Sequence, residues 1–335
     1  MPRADVLLVS LAGTAGLREA DAELAASLRR AGAVVGEAPA AAPGREWRTY
    51  ALLELAWARA ARAAAKAGIE AHRPRAVVYS STTAALLAPV PGAIRFDAPA
   101  AGNRPGRHGV WQRPLERRRF AAAPLLVPWS DGGLAEAPRP HADAIVVPMP
   151  VEPSGPAGER DIAAITYAAN PQKKGLRDVL YAWARAQRHG EELIVAGLAA
   201  PDGRARPEGV RFTGMLPRAD YRALLRRARV FVTAPQREDY GIAQLEALAD
   251  GCLLVTTPSP GPYAALPLAR SLDPRLVQEG RRELGDAVRS ALDEPVPDYT
   301  QRAAAALAPW RRAKVDRVVA DELLPRLQQR LESPM

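Results

Sequence analysis

The sequence predicts an α/β protein made of two successive units, each a mainly parallel sheet covered by helices on both faces. Three observations lead to this prediction. Short apolar runs alternate with longer helical patterns along most of the chain, as in parallel strands joined by helices. A Pro/Gly-rich stretch at 148–156 interrupts this alternation and has the composition of a linker. The length of 335 residues suits two cores of ordinary size better than one.

The first unit opens on an apolar strand at Val6–Ser10, and a helix is predicted over about 17–30 after the turn. A second strand is predicted at 33–35, followed by an Ala-rich helix over about 46–67. The remaining strands of this unit are predicted from four apolar runs, at 76–79, 94–96, 125–127 and 145–147.

The second unit repeats the alternation after the linker. Strands are predicted at 162–166, 193–195, 210–212, 230–233 and 253–256, and helices at about 176–188 and 219–227. A further helix follows the fourth strand and stops at Asp250-Gly251, because glycine just past a helix can take the left-handed conformation. The tail, about 302–331, is predicted to be helical with an interruption near Pro309.

The composition is that of a soluble globular protein, with 48% hydrophobic and 25% charged residues. A single cysteine excludes a disulfide framework and suits the reducing cytoplasm. Cys252 follows the helix stop and opens an apolar run, so it is expected to pack as a small hydrophobe. No run approaches eighteen apolar residues, and the first apolar run, Val6–Ser10, is expected to be a strand, too short for a leader or an anchor.

The chain is basic, with 46 Lys and Arg against 37 Asp and Glu, a formal charge of +9. The arginines are scattered, without interleaved aromatic residues or a nucleic-acid-binding motif, so nucleic acid is not expected as a partner. Attraction of the protein to anionic phospholipid is the simpler interpretation of the charge.

Two glutamates eight residues apart are the most informative feature of the chain. Glu238 lies in the loop after the apolar strand that ends at Thr233, and Glu246 lies inside the helix that this loop opens. A helix N-terminus at the carboxyl end of a strand offers free N–H groups and a positive dipole to an anion. One carboxylate at that point and another further along the helix could hold sugar and ribose hydroxyls on either side of a diphosphate.

This segment resembles the Glu-x7-Glu signature of retaining GT-B glycosyltransferases of family 4, the glycosyl transferases group 1. The family pattern Glu-Gly-Phe-Gly-Leu, three residues, then Glu-Ala-x-Ala-x-Gly corresponds here to Glu238-Asp-Tyr-Gly-Ile and Glu246-Ala-Leu-Ala-Asp-Gly251. The resemblance implies the GT-B fold, two Rossmann-like domains facing a central cleft. The domains would be 1–150 on the acceptor side and 157–309 on the nucleotide-sugar side, with the helix of 310–335 crossing back to the first.

A second motif, Tyr167-Ala-Ala-Asn170-Pro-Gln-Lys173-Lys174-Gly175, is similar to the family segment Gly-Arg-x-x-x-x-Lys-Gly. There, the arginine and the lysine neutralise the donor diphosphate. Lys174 matches the lysine, whereas Ala169 occupies the position of the arginine. The resemblance therefore implies Lys174 as the cation that stabilises the leaving group, and Lys173 is expected to compensate for the missing arginine.

Glycine-containing turns complete the donor site that the resemblance implies. The stretch Val210-Arg-Phe-Thr-Gly214 is similar to the family pattern beside the nucleotide base, so Gly214, Met215 and Leu216 are assigned to base recognition through their backbone. Gly16, in the turn after the first strand, is expected to let the backbone approach the β-phosphate and the acceptor. The residues that open the Glu-x7-Glu helix are also assigned to donor binding: Asp239, Tyr240, Gly241 and Ile242.

The first unit departs from the family at the place where many relatives carry His-Asp after a strand. This chain has Phe96-Asp97 there, so Asp97 is retained and the histidine is missing. His108, in a nearby Gly/Arg loop, is the candidate to replace it in space. Asp97 and His108 are therefore predicted to be catalytic, together with Glu238 and Lys174.

The resemblance implies transfer of a hexosyl-type group from a nucleoside diphosphate sugar to an acceptor hydroxyl, with retention at the anomeric carbon. Glu238 would hold the sugar and Glu246 the ribose. Neither a metal nor another cofactor is required by this chemistry, and no His/Asp/Cys cluster in the sequence suggests a metal. The expected acceptor is a glycan or a lipid-linked sugar, and the expected location is the cytoplasm, including the inner face of its membrane.

Three alternatives remain open from the sequence. A non-catalytic GT-B subunit or sugar-nucleotide-binding protein would account for Phe96 and Ala169 as decay of an active site. A GT-B epimerase would need acid/base carboxylates and histidines that the sequence does not supply. A basic nucleic-acid-binding module would bind nucleic acid at physiological salt.

Overall fold

The structure is a computed structural model that describes residues 3–11, 13–44, 49–104, 106–141, 143–156, 158–200 and 207–329, without the side chains of Ala15 and His108. The chain divides into two compact units, one formed by 1–150 together with 312–335 and the other by 151–311. Both units are α/β, each with a five-stranded sheet whose strand pairings are all parallel. The predicted fold class is confirmed.

The elements of the first unit follow in chain order. They are β1 Val6–Ser10, α1 Ala15–Arg30, β2 Val35–Pro39, α2 Tyr50–His72, β3 Ala76–Tyr79, α3 Thr82–Leu86, β4 Ala93–Phe96, α4 Ala100–Asn103, a 3-10 turn Gly106–Gly109, α5 Gln112–Ala122, β5 Leu126–Pro128 and α6 Asp131–Ala135. The C-terminal segment adds α13 Arg312–Val318, a wide turn Val319–Leu323 and α14 Leu324–Gln329.

The sheet of the first unit has the order β2-β1-β3-β4-β5 and separates two apolar cores. Leu7 and Val9 face one core, together with residues of α2, α3 and α5. Val6 and Leu8 face the other core, together with α1 and the C-terminal helices. Side chains alternate across a strand, so a strand that is apolar at every position needs a cover on both faces.

The second unit contains β6 to β10 and α7 to α12. The elements are β6 Ile162–Tyr167, α7 Leu176–Ala186, β7 Leu193–Ala196, β8 Val210–Gly214, α8 Arg218–Arg227, β9 Ala228–Thr233, α9 Ile242–Ala249, β10 Leu253–Thr256, α10 Ala265–Leu272, α11 Arg281–Asp293 and α12 Tyr299–Ala306. The sheet order is β10-β9-β6-β7-β8, so the chain reverses its direction of winding between β6 and β9. The crevice beyond the carboxyl ends of two such strands is the usual ligand site of an open parallel sheet.

Two predicted strands of the first unit differ from the structure. The second strand runs over Val35–Pro39 rather than 33–35, because its register is set by pairing with β1 from Val6↔Val35 to Ser10↔Pro39. The run Ile145–Val147 forms no strand. This run lies beside β5 and is joined to it by individual hydrogen bonds, such as the one from the Ile145 N–H to the Leu126 carbonyl at 3.0 Å. Pro148 has no N–H with which to extend this pairing.

Helix boundaries match the predictions where the signals are local. Thr14 caps α1 by accepting a hydrogen bond from the Leu17 N–H at 3.2 Å, and Gly251 follows α9 with φ 83°. The predicted starting residues of α2, 46–48, and the last two residues of the predicted tail helix, 330 and 331, lie outside the described residues.

Candidate functional site: a cluster of charges at the switch point of the second sheet

The loops after β6 and β9 meet where the winding of the second sheet reverses. The loop after β6 carries Lys173 and Lys174, and the loop after β9 carries Glu238. Both loops leave carboxyl ends of neighbouring strands, since β6 pairs with β9 in parallel. The two sequence motifs, which are about sixty-five residues apart, are therefore brought to one place by the strand order.

Close backbone contact holds these two loops together. Gly175 has φ 65°, and a Cβ atom there would overlap the carbonyl oxygen of Ala234. The Gln236 N–H donates to the Lys173 carbonyl at 2.9 Å, which fixes the register of one loop against the other. A glycine is required at 175 both for its left-handed conformation and for this approach.

Glu238 forms an ion pair with Lys174, with 2.6 Å between Oε2 and Nζ. The same oxygen accepts a hydrogen bond from Gln244 Nε2 at 2.9 Å, and the Glu238 N–H donates to the Pro260 carbonyl at 3.1 Å. The Glu238 side chain is only 6% exposed and the Lys174 side chain 19%. The backbone and both partners thus hold the carboxylate in one place.

A second carboxylate, Asp239, lies between two further cations. Its Oδ2 is 2.6 Å from Lys173 Nζ, and its Oδ1 is 2.8 Å from Arg237 Nε. Burial opposes ionisation of Asp239, but the two cations outweigh it and hold the pKa of Asp239 below its ordinary value. Asp239 is therefore a carboxylate at neutral pH.

Helix α9 starts immediately after these charges. Gly241 precedes its first residue, Ile242, and has φ 90°, a conformation that glycine adopts at low cost. Tyr240 is buried, and its hydroxyl accepts a hydrogen bond from Trp310 Nε1 at 2.9 Å. The first N–H groups of a helix have no partner within it and carry its positive dipole end, so this turn is suited to an anion.

Glu246, one turn into α9, is held by two arginines of α8. Its Oε1 is 2.6 Å from Arg218 Nη2 and 3.5 Å from Arg222 Nη1. Arg222 is fixed in turn by Asp250 Oδ2 at 2.6 Å and by the Glu152 carbonyl at 2.8 Å. Burial raises the pKa of Glu246 above its ordinary value, although both arginines oppose the shift.

The loop assigned to the nucleotide base lies at the carboxyl ends of β7 and β8. Gly214 has φ 71°, its N–H donates to the Leu198 carbonyl, and its carbonyl accepts from the Gly197 N–H, both at 2.9 Å. Met215 is 66% exposed and Leu216 is partly buried. The loop continues into α8 at Arg218, so it is adjacent in the chain to a partner of Glu246.

The remaining candidates belong to the first unit. Gly16 lies in the first turn of α1, and Asp97 follows β4, where its Oδ1 accepts the Ala98 N–H at 2.8 Å. His108 lies in the 3-10 turn Gly106–Gly109, and its side chain lies outside the described residues. Phe96 is buried, with its ring 4.9 Å from that of Phe120, so it is a core residue.

Among the residues that the structure describes, no group of three or more His, Cys, Asp and Glu side chains is arranged to hold a metal ion. The described helices also include none with both the length and the apolar character needed to cross a bilayer.

Several solved structures superpose on the whole chain. A sucrose-phosphate synthase from Thermosynechococcus elongatus superposes with a TM-score of 0.75 at 13% identity, covering 98% of this chain and 100% of that one. An α,α-trehalose 6-phosphate synthase from Burkholderia multivorans gives 0.68 at 14%, covering 98% and 99%. WaaG, a glycosyltransferase involved in lipopolysaccharide biosynthesis, gives 0.65 at 15%, covering 98% of each chain. A sequence search of the curated proteins found no match.

Residues 160–294 match the family model described as "Glycosyl transferases group 1". The matched segment contains both glutamates, the lysine pair and the loop at Gly214. The protein has the GT-B fold. The resemblance found in the sequence is thereby confirmed, and the two five-stranded units are the Rossmann-like domains of that fold.

Several side chains that contact the predicted site residues were not found from the sequence. They include Arg218, Arg222, Arg237 and Gln244. The spacing of Arg218 and Arg222 was an available signal, since residues four apart share one face of a helix. For Arg237 and Gln244 the sequence offered only their closeness to Glu238.

Proposed function

We propose that this protein is a glycosyltransferase that moves a hexosyl group from a nucleoside diphosphate sugar to an acceptor hydroxyl, with retention at the anomeric carbon. The observation that carries the proposal is the convergence of Lys174 and Glu238 at the start of α9. A cation, a helix N-terminus and a fixed carboxylate are together suited to an anionic leaving group bonded to a hydroxyl-rich sugar.

The proposed role of Lys174 is to stabilise the leaving group. When the bond between C1 and the diphosphate oxygen breaks, the electron pair leaves with the diphosphate, and positive charge develops on the sugar. The ammonium of Lys174 and the N–H groups of Gly241 and Ile242 would face the developing negative charge. Charges and dipoles fixed in advance of the reaction contribute most to such catalysis.

The proposed bond formation takes place on the face from which the diphosphate departs. The acceptor oxygen bonds to C1, and its proton passes to the departing phosphate oxygen, so no separate protein base is needed. This route gives retention. Glu238 would hold sugar hydroxyls through its free acceptor capacity while Lys174 and Gln244 fix its orientation.

The proposed nucleoside contacts lie further along the same sheet edge. Glu246 would accept hydrogen bonds from the ribose hydroxyls, and the backbone around Gly214, Met215 and Leu216 would read the base. Arg218 supports this role, because its guanidinium, 2.6 Å from Glu246, favours the ionised carboxylate that accepts two hydroxyl donors.

The proposed acceptor side is the first unit, with Gly16, Asp97 and His108 as its candidates. A glycan or a lipid-linked sugar is the proposed acceptor. The charge of +9 supports peripheral attachment to an anionic membrane, at its cytoplasmic face, where a lipid-linked acceptor would be found.

A non-catalytic GT-B protein is the second candidate, and two observations favour it. Phe96 packs in the core at the position where many relatives carry a histidine, and Ala169 replaces the arginine of the diphosphate site. Such a protein would bind a nucleotide sugar and transfer nothing.

The test is to incubate the purified protein with a panel of UDP-, GDP-, ADP- and TDP-linked hexoses, with and without simple acceptor glycosides. Release of the nucleoside diphosphate by the wild type is expected, with loss of about 100-fold or more in Glu238→Gln and in Lys174→Met, as for removal of one electrostatic contact to the transition state. Glu192→Gln, at an exposed ion pair before β7, serves as the control. Binding of a donor without turnover would favour the non-catalytic protein, and the anomeric coupling constant of the product would decide between retention and inversion.

A further inference from the structure

Asp239 is an acidic side chain, beside the lysine pair, that the proposed chemistry does not use. Its two oxygens contact different cations from different loops, Lys173 at 2.6 Å and Arg237 at 2.8 Å. The Asp239 side chain is 9% exposed, whereas those of Arg237 and Lys173 are 17% and 41% exposed. The carboxylate is thus buried beneath two cations that reach further toward solvent.

The sequence makes the position of this carboxylate unexpected. The resembling family pattern has glycine directly after the first glutamate, where this chain has Asp239, and arginine where this chain has Ala169. One cation is therefore missing from the diphosphate site, and one negative charge is added beside it. Taken alone, both changes would weaken the attraction of the site for a diphosphate.

The cations that Asp239 holds offset both changes. Lys173 immediately precedes Lys174, the proposed leaving-group cation, and Arg237 immediately precedes Glu238. The loop after β10 closes the same site, because a Cβ at Gly261 would lie 3.3 Å from the Arg237 guanidinium carbon and would overlap the Glu238 carbonyl. Lys173 and Arg237 are therefore anchored at the carboxyl ends of β6, β9 and β10, next to the start of α9.

Anchoring to a carboxylate does not prevent these cations from binding phosphate. An ammonium has three N–H donors and a guanidinium five, so each can contact a carboxylate and a phosphate oxygen at once. A long side chain that is already fixed loses less rotamer freedom when a ligand binds.

We propose that Asp239 is a positioning residue that holds Lys173 and Arg237 as a pair of cations for the donor diphosphate, in place of the arginine absent at Ala169. This inference rests on the proposed function, since it names residues that act at the same diphosphate site. It assigns a role to the side chains of Asp239 and Arg237, beyond the backbone contacts of the helix start.

Asp239→Asn separates positioning from simple charge. The substitution removes a negative charge beside the diphosphate, so if Asp239 acted only through its own charge, the variant would bind uridine, guanosine, adenosine or thymidine diphosphate more tightly. Positioning predicts the opposite sign, a weakening of about tenfold, because the two cations lose their anchor. The affinity for the matching nucleoside monophosphate, which lacks the β-phosphate, should change by less than about threefold.

Arg237→Gln tests the cation itself, with an expected weakening of about 10- to 100-fold for the diphosphate. In the double variant Asp239→Asn/Arg237→Gln, the loss of diphosphate affinity should be smaller than the sum of the two single losses, because both substitutions disrupt the same ion pair. Ala169 is exposed, so Ala169→Arg can be accommodated and should restore much of the diphosphate affinity of Arg237→Gln. Arg188→Gln, at an exposed ion pair with Asp293 beyond the end of α7, is the matched control.

Titration calorimetry measures the affinity of the wild type and of each variant for the four nucleoside diphosphates and their monophosphates. If the wild type binds a diphosphate, two results would overturn this inference and leave the proposed function intact. One is a higher diphosphate affinity in Asp239→Asn, and the other is a diphosphate affinity in Arg237→Gln within twofold of that of the wild type. A wild type that binds none of the four diphosphates would overturn both.

Discussion

Glu246 is a buried carboxylate between two arginines, and this environment sets what it can bind. Arg218 reaches it from the exposed side of α8 at 2.6 Å, and Arg222 lies 3.5 Å away on the buried side. Burial raises the pKa of Glu246, and the two arginines oppose this shift by favouring the ionised carboxylate, which accepts two hydroxyl donors at once. A ribose with adjacent hydroxyls matches this acceptor.

The role of Glu246 can be measured against the ribose hydroxyls. The wild type should bind a nucleoside diphosphate about 10- to 100-fold more tightly than its 2′,3′-dideoxy analogue, since hydrogen bonds to a charged group contribute about 1.5–3 kcal/mol. Glu246→Gln should lose most of this discrimination, whereas Glu192→Gln should keep it. Calorimetry with both ligands checks the prediction, and equal discrimination by the two variants would assign the ribose to other residues.

Glu116 is a second buried carboxylate, in the first unit, whose environment favours the neutral form. Burial raises the pKa of Glu116 to about 7, although hydrogen bonds from the Ala100 N–H, at 2.9 and 3.0 Å, oppose the shift. The folded state therefore holds a proton that the unfolded state releases above its ordinary pKa of 4.5.

Linkage gives the sign of the resulting pH dependence. The contribution of Glu116 is fully present below pH 4.5 and is lost as the pH rises through about 7, a decrease of at most about 3 kcal/mol in the free energy of unfolding. Glu116→Gln keeps an acceptor for the Ala100 N–H and cannot titrate, so the difference between wild type and variant should shrink or reverse toward pH 8. Urea unfolding of both proteins from pH 4.5 to 8 measures this difference, and a constant difference would mean that Glu116 is ionised throughout.

At the scale of the elements, the site depends on how closely the loop after β6 approaches the loop after β9. Helix α7 starts after Gly175, and the contact of this glycine with Ala234 places the two lysines beside the glutamate loop. Glycine is needed at Gly190 only for its backbone conformation, because φ is 83° there and, among the described residues beyond its two chain neighbours, no atom lies within 4 Å of where a Cβ would be. Both glycines thus have a positive φ, but only Gly175 is in close contact with another loop.

This pair provides a matched test of the loop contact. Gly190→Ala should destabilise the fold by about 1–2 kcal/mol, the strain of a left-handed residue. Gly175→Ala should cost about 1–3 kcal/mol more, because the methyl group also displaces the Ala234 backbone. Urea unfolding checks the stabilities, and nucleoside diphosphate affinity should fall only in Gly175→Ala. Equal stability of the two variants would mean that the loops separate without loss.

At the scale of the whole molecule, the C-terminal segment that starts at Arg312 belongs to the first unit, whose other part ends at Pro150. Val315, Val319, Leu323, Leu324 and Leu327 are buried with Val6 and Leu8 of β1 and with Leu24 and Leu28 of α1. Asp316 adds a hydrogen bond from Ser27 Oγ at 2.5 Å and an ion pair with Arg30 at 2.8 Å. The core of the first unit is thus completed by the last part of the chain.

Leu323→Ala should therefore weaken the first unit, by about 2–5 kcal/mol as for a fully buried leucine, although residue 323 follows the whole second unit in sequence. Amide hydrogen exchange should rise in β1 and β3 and change little in β6 and β9. Leu284→Ala, at an equally buried leucine of α11, should give the reverse pattern. Faster exchange in β9 than in β1 for Leu323→Ala would contradict this division of the chain.

The sequence alone determined the class of the fold and the positions of the motifs on it. Parallel strands covered on both faces are continuous apolar runs, and helix ends carry Thr14 and Gly251, so both can be recognised from neighbouring residues. The Lys-Gly and Glu-x7-Glu motifs were equally local, because each lies within a single loop or within a loop and the helix that it opens. The run at Ile145–Val147 was misassigned for the same reason, since apolar character is local and strand pairing is not.

Only the tertiary structure decided which of these motifs meet and with which partners. The strand order brings Lys174 to Glu238, and the packing of α8 against α9 brings Arg218 to Glu246. No pattern within a single segment records such pairs, because they depend on how distant segments pack. The same holds for Lys173 and Asp239, and for the C-terminal helices that complete the first core. Burial and these partners then lower the pKa of Asp239 and raise that of Glu246, which no single segment of the sequence indicates.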